Sequence, residues 1–531
     1  MQVALIYPST KRAGFSNLGI IRVYQAVKSK GLTCCVFFLD YKSQDHLIAT
    51  YDFKRFFNKR VGELRKYPLI LFSLSFQNDF LNLVRILSSA GIKLFSQDRR
   101  KENEHFVLAG GVALTMNPEP LANFLDAAYI GESEATFLDF LELFVSTPFD
   151  KIYDRIIDLE GFYLPSHYKF IYSKEGLLED IKNLNGSPEK VRRVYPEKLS
   201  SPVWQDTQED STFKNMRIIE IGRGCSQRCR FCVASYLFLP PRHYPKSDIF
   251  PLLQKDKNIE SVGLVSPMTS DHPEFSSIIS EISLKYRVSP SSLKMWSVDS
   301  DTVKCIVSSG AKTITIAPEA GTERMRRLVN KPIKDSDVIE VARMFRETGV
   351  RNLKLYFMIG LPTEESYDIE GISELSKTFK NELKGDLTVT VSPFVPKPWT
   401  PFQWCSQDRE DSLQVKMSYL KKSLSKTGIK VSADSVRAAT LESLLSLSGR
   451  DCTEFILESA RSSNIRSLLI KYSFLLERWV WRQKNFDEIF PWDVIDTGVT
   501  KKYLLYEMKR GLASKLSKPC DVGVCKACGV C

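Results

Sequence analysis

No window of the 531-residue chain approaches eighteen uninterrupted apolar residues, so no stretch reads as a membrane-spanning helix. The start, Met1-Gln2-Val3-Ala4-Leu5-Ile6-Tyr7-Pro8, lacks the charged opening and long apolar region of a signal peptide and reads as a first β-strand. Charge of one sign is not dominant: a net +11 at this length permits an anionic partner without demanding one. The basic excess is partly local, at Lys190, Arg192 and Arg193 and again at Lys501, Lys502, Lys509, Arg510, Lys515, Lys518 and Lys526, and each group reads as a solvated face. Cysteine is not spread as in a small secreted scaffold. Seven of the twelve fall in two tight clusters, which favours metal in a reducing cytoplasm over disulfides. With 43% hydrophobic and 26% charged residues the chain reads as an ordinary globular protein of two to four domains.

The first cysteine cluster organises the chain. An isoleucine-rich run, Ile218 to Ile221, reads as a buried strand; Gly222 and Gly224 end it and open a loop carrying Cys225, Cys229 and Cys232 in the spacing C-x3-C-x2-C. Three thiolates cannot saturate a structural zinc, which takes four ligands. They can hold three corners of a cubane iron–sulfur cluster and leave the fourth iron open to a substrate or cofactor.

This stretch resembles the signature of the radical S-adenosylmethionine (SAM) superfamily. Cys225, Cys229 and Cys232 match its cluster ligands, and Phe231 matches the aromatic residue usual before the last cysteine. The resemblance implies a [4Fe–4S] cluster whose open iron is chelated by SAM, reductive cleavage of the sulfonium, and hydrogen abstraction from an unactivated C–H bond. It also implies an electron donor such as flavodoxin or ferredoxin. The cofactors carry that chemistry while the protein positions them.

Ahead of the loop, strands at Val3–Tyr7, Cys34–Leu39, Leu69–Ser75, Phe106–Ala109 and Ala127–Ile130 alternate with helices, which argues a doubly wound parallel sheet. The run Leu108-Ala109-Gly110-Gly111, with Asn117-Pro118-Glu119 and Gly131-Glu132-Ser133-Glu134, resembles the cobalamin-binding-like domain that precedes many radical SAM cores. The resemblance makes Gly110 and Gly111 cofactor-binding candidates. The Asp-x-His-x-x-Gly motif of relatives that ligate cobalt through histidine does not occur, and His46 and His105 read as solvated. The domain then binds cobalamin without a protein ligand or keeps only the fold.

Behind the loop, strands at Arg217–Ile221, Ser261–Val265, Leu293–Val298, Thr313–Ala317, Asn352–Ile359 and Leu387–Phe394 match the partial (β/α)6 barrel of radical SAM cores, with the reactive site at the carboxyl ends. Glu319 sits where related enzymes place a polar residue near the SAM ribose. Arg324 is a candidate for the SAM carboxylate, and Gly360-Leu361-Pro362 resembles the turn that flanks the adenine. The second strand ends in Ser266-Pro267 in place of the usual Gly-Gly-Glu, leaving Ser266 as a substitute contact for the SAM amino group; Ser297, Asp271, His272 and Asp299 are further rim candidates or helix caps.

The remainder, with helices at Leu441–Leu447, Glu454–Ser462, Ile465–Trp481 and Lys501–Leu516, is expected to pack on the barrel. It ends in Cys520, Cys525, Cys528 and Cys531, spaced C-x4-C-x2-C-x2-C, which read as a second metal site, [4Fe–4S] in preference to zinc. The expected domains are 1–190 (cobalamin-binding-like), 191–213 (linker), 214–427 (radical SAM barrel) and 428–531 (helical region with the four-Cys tail). The expected activity is cobalamin-assisted methylation of a macromolecule or unreactive carbon by a transferase. The alternatives are methylthiolation of tRNA or protein using an auxiliary cluster, and a non-catalytic iron–sulfur or zinc protein. No membrane partner is expected.

Overall fold

The computed structural model of the chain describes residues 1–43, 45–255, 259–291, 293–462 and 464–530. The front of the chain is built on one sheet, with strands β1 (Gln2–Thr10), β2 (Thr33–Leu39), β3 (His46–Thr50), β4 (Phe57–Arg60), β5 (Leu69–Ser73), β6 (Phe106–Gly110), β7 (Ala127–Tyr129) and β8 (Phe162–Tyr163) in the order β4-β3-β2-β1-β5-β6-β7-β8. The inner strands β2-β1-β5-β6-β7 are parallel, and β3, β4 and β8 add antiparallel edges. The parallel strands are unbroken apolar runs, such as Val3 to Tyr7, because both faces of the sheet are covered. Alternate residues divide between two cores. Val3, Leu5 and Tyr7 pack with helices Leu18–Ser29 and Phe137–Ser146, while Ala4 and Ile6 face helix Phe80–Ser89.

That second face carries a correction. The C-terminal helices do not rest mainly on the barrel: helix Thr453–Arg461 lies on Phe80–Ser89, and Leu444, Phe455 and Trp479 share a core with the front sheet. Asn117 Nδ2 donates to the carbonyls of Ser446 (3.0 Å) and Ser448 (2.9 Å), and Arg450 pairs with the fully buried Glu119 at 2.8 Å. The physical reason is that Phe80–Ser89 alone leaves this sheet face uncovered. The expected helix Ile465–Trp481 is broken into Ile465–Lys471, Ser473–Leu476 and a wider turn at Glu477–Trp481.

A hairpin of β9 (Tyr168–Tyr172) and β10 (Leu178–Asn183) follows the front sheet, and β11 (Val191–Arg192) runs on toward the second sheet system. There β12 (Trp204–Asp206) pairs antiparallel with β13 (Arg217–Glu220). The short β14 (Gly222–Arg223) pairs with β15 (Arg242–His243). Parallel strands β13, β16 (Ser261–Val265) and β17 (Arg287–Pro290) form one half of the barrel; β18 (Thr313–Glu319), β19 (Asn352–Ile359), β20 (Asp386–Pro393) and β21 (Lys430–Ala433) form the other. Near the end of the chain β22 (Ile495–Asp496) pairs with β11.

The third barrel strand is Arg287–Pro290, not Leu293–Val298. Leu293 and Met295 are buried in alternation with partly exposed neighbours, which imitates a strand, yet the amides of Ser297 and Val298 both return to the Lys294 carbonyl and close a turn. The real strand is short and polar because only Val288 points into the core. β21, one strand beyond the expected six, extends the second half.

Candidate functional site

The cluster loop leaves β14 at the carboxyl end of the first barrel strand. Gly224 has φ +77° and a Cβ there would stand 2.4 Å from the Phe238 carbonyl oxygen, so the turn requires glycine. Cys225 and Cys229 are buried and Cys232 is half-buried, with the Cys232 amide donating to the Cys229 carbonyl at 3.0 Å. Burial pushes the thiols of Cys225 and Cys229 up to about 12 and that of Cys232 up to about 11. Arg228, between the first two ligands, takes φ +57°, a conformation that surrounding contacts must hold.

Those contacts are specific. Asp271 accepts from Ser226 Oγ and Gln227 Nε2, both at 2.8 Å, and pairs with Lys294 at 2.6 Å, so it braces the loop. Asn330 Nδ2 donates to the carbonyls of Gln227 (3.0 Å) and Arg228 (3.2 Å). Phe231 packs against an apolar cluster containing Ala320, Leu361 and Phe394, which brings the loop and the Gly360-Leu361-Pro362 turn onto one patch. In that turn Gly360 has φ +79° and its amide donates to Glu364 at 2.7 Å; a Cβ would meet Leu413 at 2.8 Å, so packing as well as backbone conformation calls for glycine. Pro362 follows Leu361 directly and precedes Thr363, which has φ +62°.

Glu319 ends β18 after a register shift, with φ +69°, and forms an ion pair with Lys331 at 3.3 Å. Burial raises the Glu319 carboxyl against the opposing pull of Lys331. The Lys331 ammonium is itself raised: burial works against it, but Cys229 and Glu319 outweigh burial. A buried cation and anion thus stand within electrostatic reach of Cys229 and Cys232. Sequence reasoning missed Lys331, which looks like one more helix-end lysine.

The other candidates separate. Arg324 is held by Asp368 and by the Thr363 carbonyl at 3.0 Å, while Ser297 is exposed in the turn that replaces the expected strand. Asp299 caps helix Ser300–Ser308 by accepting from the Thr302 amide at 2.7 Å. His272 is buried, bridging the Tyr244 carbonyl (2.8 Å) and the Glu274 amide (3.0 Å).

Ser266 lines a different feature, a cavity of about 530 Å3 between the front sheet and the barrel. Its front wall is the carboxyl edge of β1, β5 and β6, where Gly110 and Gly111 lie; its rear wall includes Gly222, Arg223 and Gly224, the root of the cluster loop. Gly111, at φ +108°, lies so close to the Leu74 carbonyl that a Cβ would stand 2.4 Å from it. This edge lies at the switch between β1 and β5, the usual ligand crevice of doubly wound sheets. Arg223 joins the walls, pairing with Glu132 (2.5 Å), Glu134 (2.7 Å) and Glu220 (2.8 Å), and Arg22 pairs with Glu134 at 3.0 Å. Among the described residues, none lining the cavity is a histidine. His46, at the start of β3, bonds Ser43, and His105 faces the Tyr67 carbonyl.

The tail returns to the cluster loop. The Cys520 amide donates to the Ser226 carbonyl at 2.7 Å, and Arg228 Nη2 donates to Cys525 Sγ at 2.9 Å. Cys531 lies outside the described residues. Among the described residues no three Cys, His, Asp or Glu side chains are already gathered as a metal-ligand set, in the loop or in the tail. No helix among them is long and apolar enough to cross a membrane.

A barrel with a three-cysteine loop at its first strand end, behind a doubly wound domain, defines a class, and the chain belongs to the radical SAM superfamily. Residues 219–375 match the family model of the radical SAM superfamily, and residues 19–165 match that of the N-terminal region of radical SAM proteins. The chain is 30% identical over 491 residues to the uncharacterized protein MJ0966 of Methanocaldococcus jannaschii, covering 90% of this chain and 96% of that protein. Among solved structures, the cobalamin-dependent SAM radical enzyme OxsB with aqua-cobalamin and SAM bound aligns over 96% of this chain and 78% of its own, at 13% identity and TM-score 0.50. With aqua-cobalamin alone it aligns over 71% of this chain at 14% identity and TM-score 0.48, and the chain then spans about half of it, 52%. The likeness is one of fold.

Proposed function

We propose that this protein reductively cleaves S-adenosylmethionine at a [4Fe–4S] cluster held by Cys225, Cys229 and Cys232 and functionalises a C–H bond, with cobalamin-assisted methylation as the reaction. The observation that carries the reading is the shared wall: Gly222, Arg223 and Gly224 are at once the root of the cluster loop and the rear face of the front-domain cavity.

The residues fit the groups. Three thiols on a braced loop, two buried and one half-buried, suit a cluster with one open iron. The cavity volume falls in the range of about 300–1,000 Å3 usual for cofactor sites. Its apolar lining by Leu5, Leu71, Leu108 and Phe137, with Ser73 and Ser75 at strand ends, suits a flat macrocycle edged with amides. When bound, the groups supply a one-electron reduction and a transferable methyl group. The chain's part is to hold the loop through Asp271 and Asn330, to keep the Glu319–Lys331 charge pair beside it, and to close the two walls through Arg223. The reductant is a low-potential donor of the flavodoxin or ferredoxin class in a reducing compartment, and the substrate class is a macromolecule such as RNA or protein.

Methylthiolation is the second reading, favoured by the seating of Cys520 and Cys525 against the cluster loop. The test is anaerobic reconstitution with dithionite as reductant. Formation of 5′-deoxyadenosine, lost in the Cys225→Ala/Cys229→Ala/Cys232→Ala variant, is expected; unchanged formation in that variant overturns the reading. Cobalt bound alongside iron supports methylation, and failure to bind any corrinoid transfers the proposal to methylthiolation.

A further inference from the structure

We propose that Cys520, Cys525 and Cys528 form a second metal site, an iron–sulfur centre built on the cluster loop, with Arg228 as the positioning residue between the two cysteine sets. The site uses none of the loop thiols and stands apart from the reading of the reaction.

The tail's path is fixed by bonds to that loop. Helix Lys501–Leu512 stops short of its expected end at Leu516: Ser514 takes φ +52°, and Arg230 Nη2 captures the Lys515 carbonyl at 2.8 Å. Arg230 is fully buried and pairs with Glu507 at 3.2 Å. The Ser517 amide then donates to Asn330 Oδ1 at 2.8 Å, the same asparagine that holds the carbonyls of Gln227 and Arg228. Next the Cys520 amide meets the Ser226 carbonyl. With one peptide unit and one hydrogen bond between them, the Cα atoms of Cys225 and Cys520 lie no more than about 10 Å apart. The amides of Val524 (3.2 Å) and Cys525 (2.9 Å) fold back on the Asp521 carbonyl, and the Cys528 carbonyl is held by the Thr500 amide at 3.0 Å. The sulfur-bearing turns are thus anchored at Ser226, Asp521 and Thr500.

One side chain crosses from the loop to the tail. Arg228 Nη2 donates to Cys525 Sγ at 2.9 Å, and the Cys520 amide is held by Ser226, two residues before Arg228 in the same loop. Cys528 is buried at 2% exposure. A guanidinium aimed at a cysteine sulfur is the kind of sulfur-directed hydrogen bond that tunes iron–sulfur centres. Arg228, at φ +57°, reaches the tail with its side chain at Cys525. The C-x2-C step from Cys525 to Cys528 is of the kind that iron–sulfur runs use.

The test is metal and acid-labile sulfide analysis of anaerobically reconstituted full-length protein. In the Cys225→Ala/Cys229→Ala/Cys232→Ala variant, about four irons per chain should remain. In the Cys520→Ala/Cys525→Ala/Cys528→Ala variant, whose loop is intact, iron should fall twofold from the parent; this second variant keeps the test valid if the first does not fold. About one zinc in place of iron, or no metal, in the tail site overturns the proposal. In the loop-cysteine variant, Arg228→Ala should move the reduction potential of the remaining centre to a more negative value, since a cation beside an anionic cluster favours the reduced form, and Arg228→Lys should restore most of the shift. An unchanged potential overturns the role of Arg228. Iron retained in the tail without any SAM cleavage leaves this site standing and removes the proposed function instead.

Discussion

Lys331 Nζ lies 3.3 Å from Glu319, whose backbone stands at φ +69°, and the two side chains are 5% and 14% exposed. A buried pair of this kind contributes little beyond what two apolar residues would, but removing one partner strands the other.

Lys331→Met should therefore destabilise the protein by about 3–5 kcal/mol, and Glu319→Gln/Lys331→Met should recover most of the loss. Urea midpoints of the two single variants and the double variant check this; additive losses would show that the pair does not interact.

Arg223 faces Glu132, Glu134 and Glu220 between the two walls of the cavity. Burial raises the Glu134 carboxyl, but Arg223 outweighs it and holds the group below its ordinary value. A depressed carboxylate contributes stability above its unfolded pKa that is lost as pH falls through the folded one. Arg223→Met should lower stability at pH 7 by about 3–5 kcal/mol and move the acid-unfolding midpoint to higher pH. Circular dichroism between pH 7 and pH 2 measures both.

Asp79 shows the opposite sign. Burial pushes its carboxyl up to about 7, and Oδ2 has no hydrogen-bond partner. The stability it permits is complete below its unfolded value and falls as pH rises to about 7, then stays level. Asp79→Asn should raise stability by about 2–4 kcal/mol at pH 8 and leave it almost unchanged at pH 4. Equal effects at both pH values would mean that the carboxyl is ionised throughout.

Asn117 ties the front sheet to the C-terminal helices through two buried carbonyls. Asn117→Ala leaves both without a donor and should cost about 2–5 kcal/mol. Hydrogen exchange should rise in the helix Val436–Leu447 ahead of the barrel strands. Uniform loosening of the whole chain would argue against a local tie.

Much of this protein is determined locally. Val3 to Tyr7, an unbroken apolar run, and Ile218, Ile219 and Ile221 read as buried strand because such residues suit a sheet covered on both faces. Gly224 and Gly360 sit where the backbone enters the left-handed region, and the C-x3-C-x2-C loop follows a strand that any reading of period and turn residues finds. Local pattern failed at Leu293–Val298, where alternating burial arises from a turn, and at Arg287–Pro290, a strand that exists because β16 offers it a ladder. What only tertiary structure decided is what meets the cluster loop. Lys331 and Asn330 are ordinary polar residues in sequence, and neither Asp271 nor the tail cysteines, though legible as candidates, show by spacing that they meet a loop 46 to 303 positions away. Their roles come from burial, which turns a helix-end lysine into an obligatory partner for Glu319 and an arginine between two cysteines into a bridge to Cys525. Desolvation acts on a side chain through its neighbours in space, and a linear sequence does not state which those are.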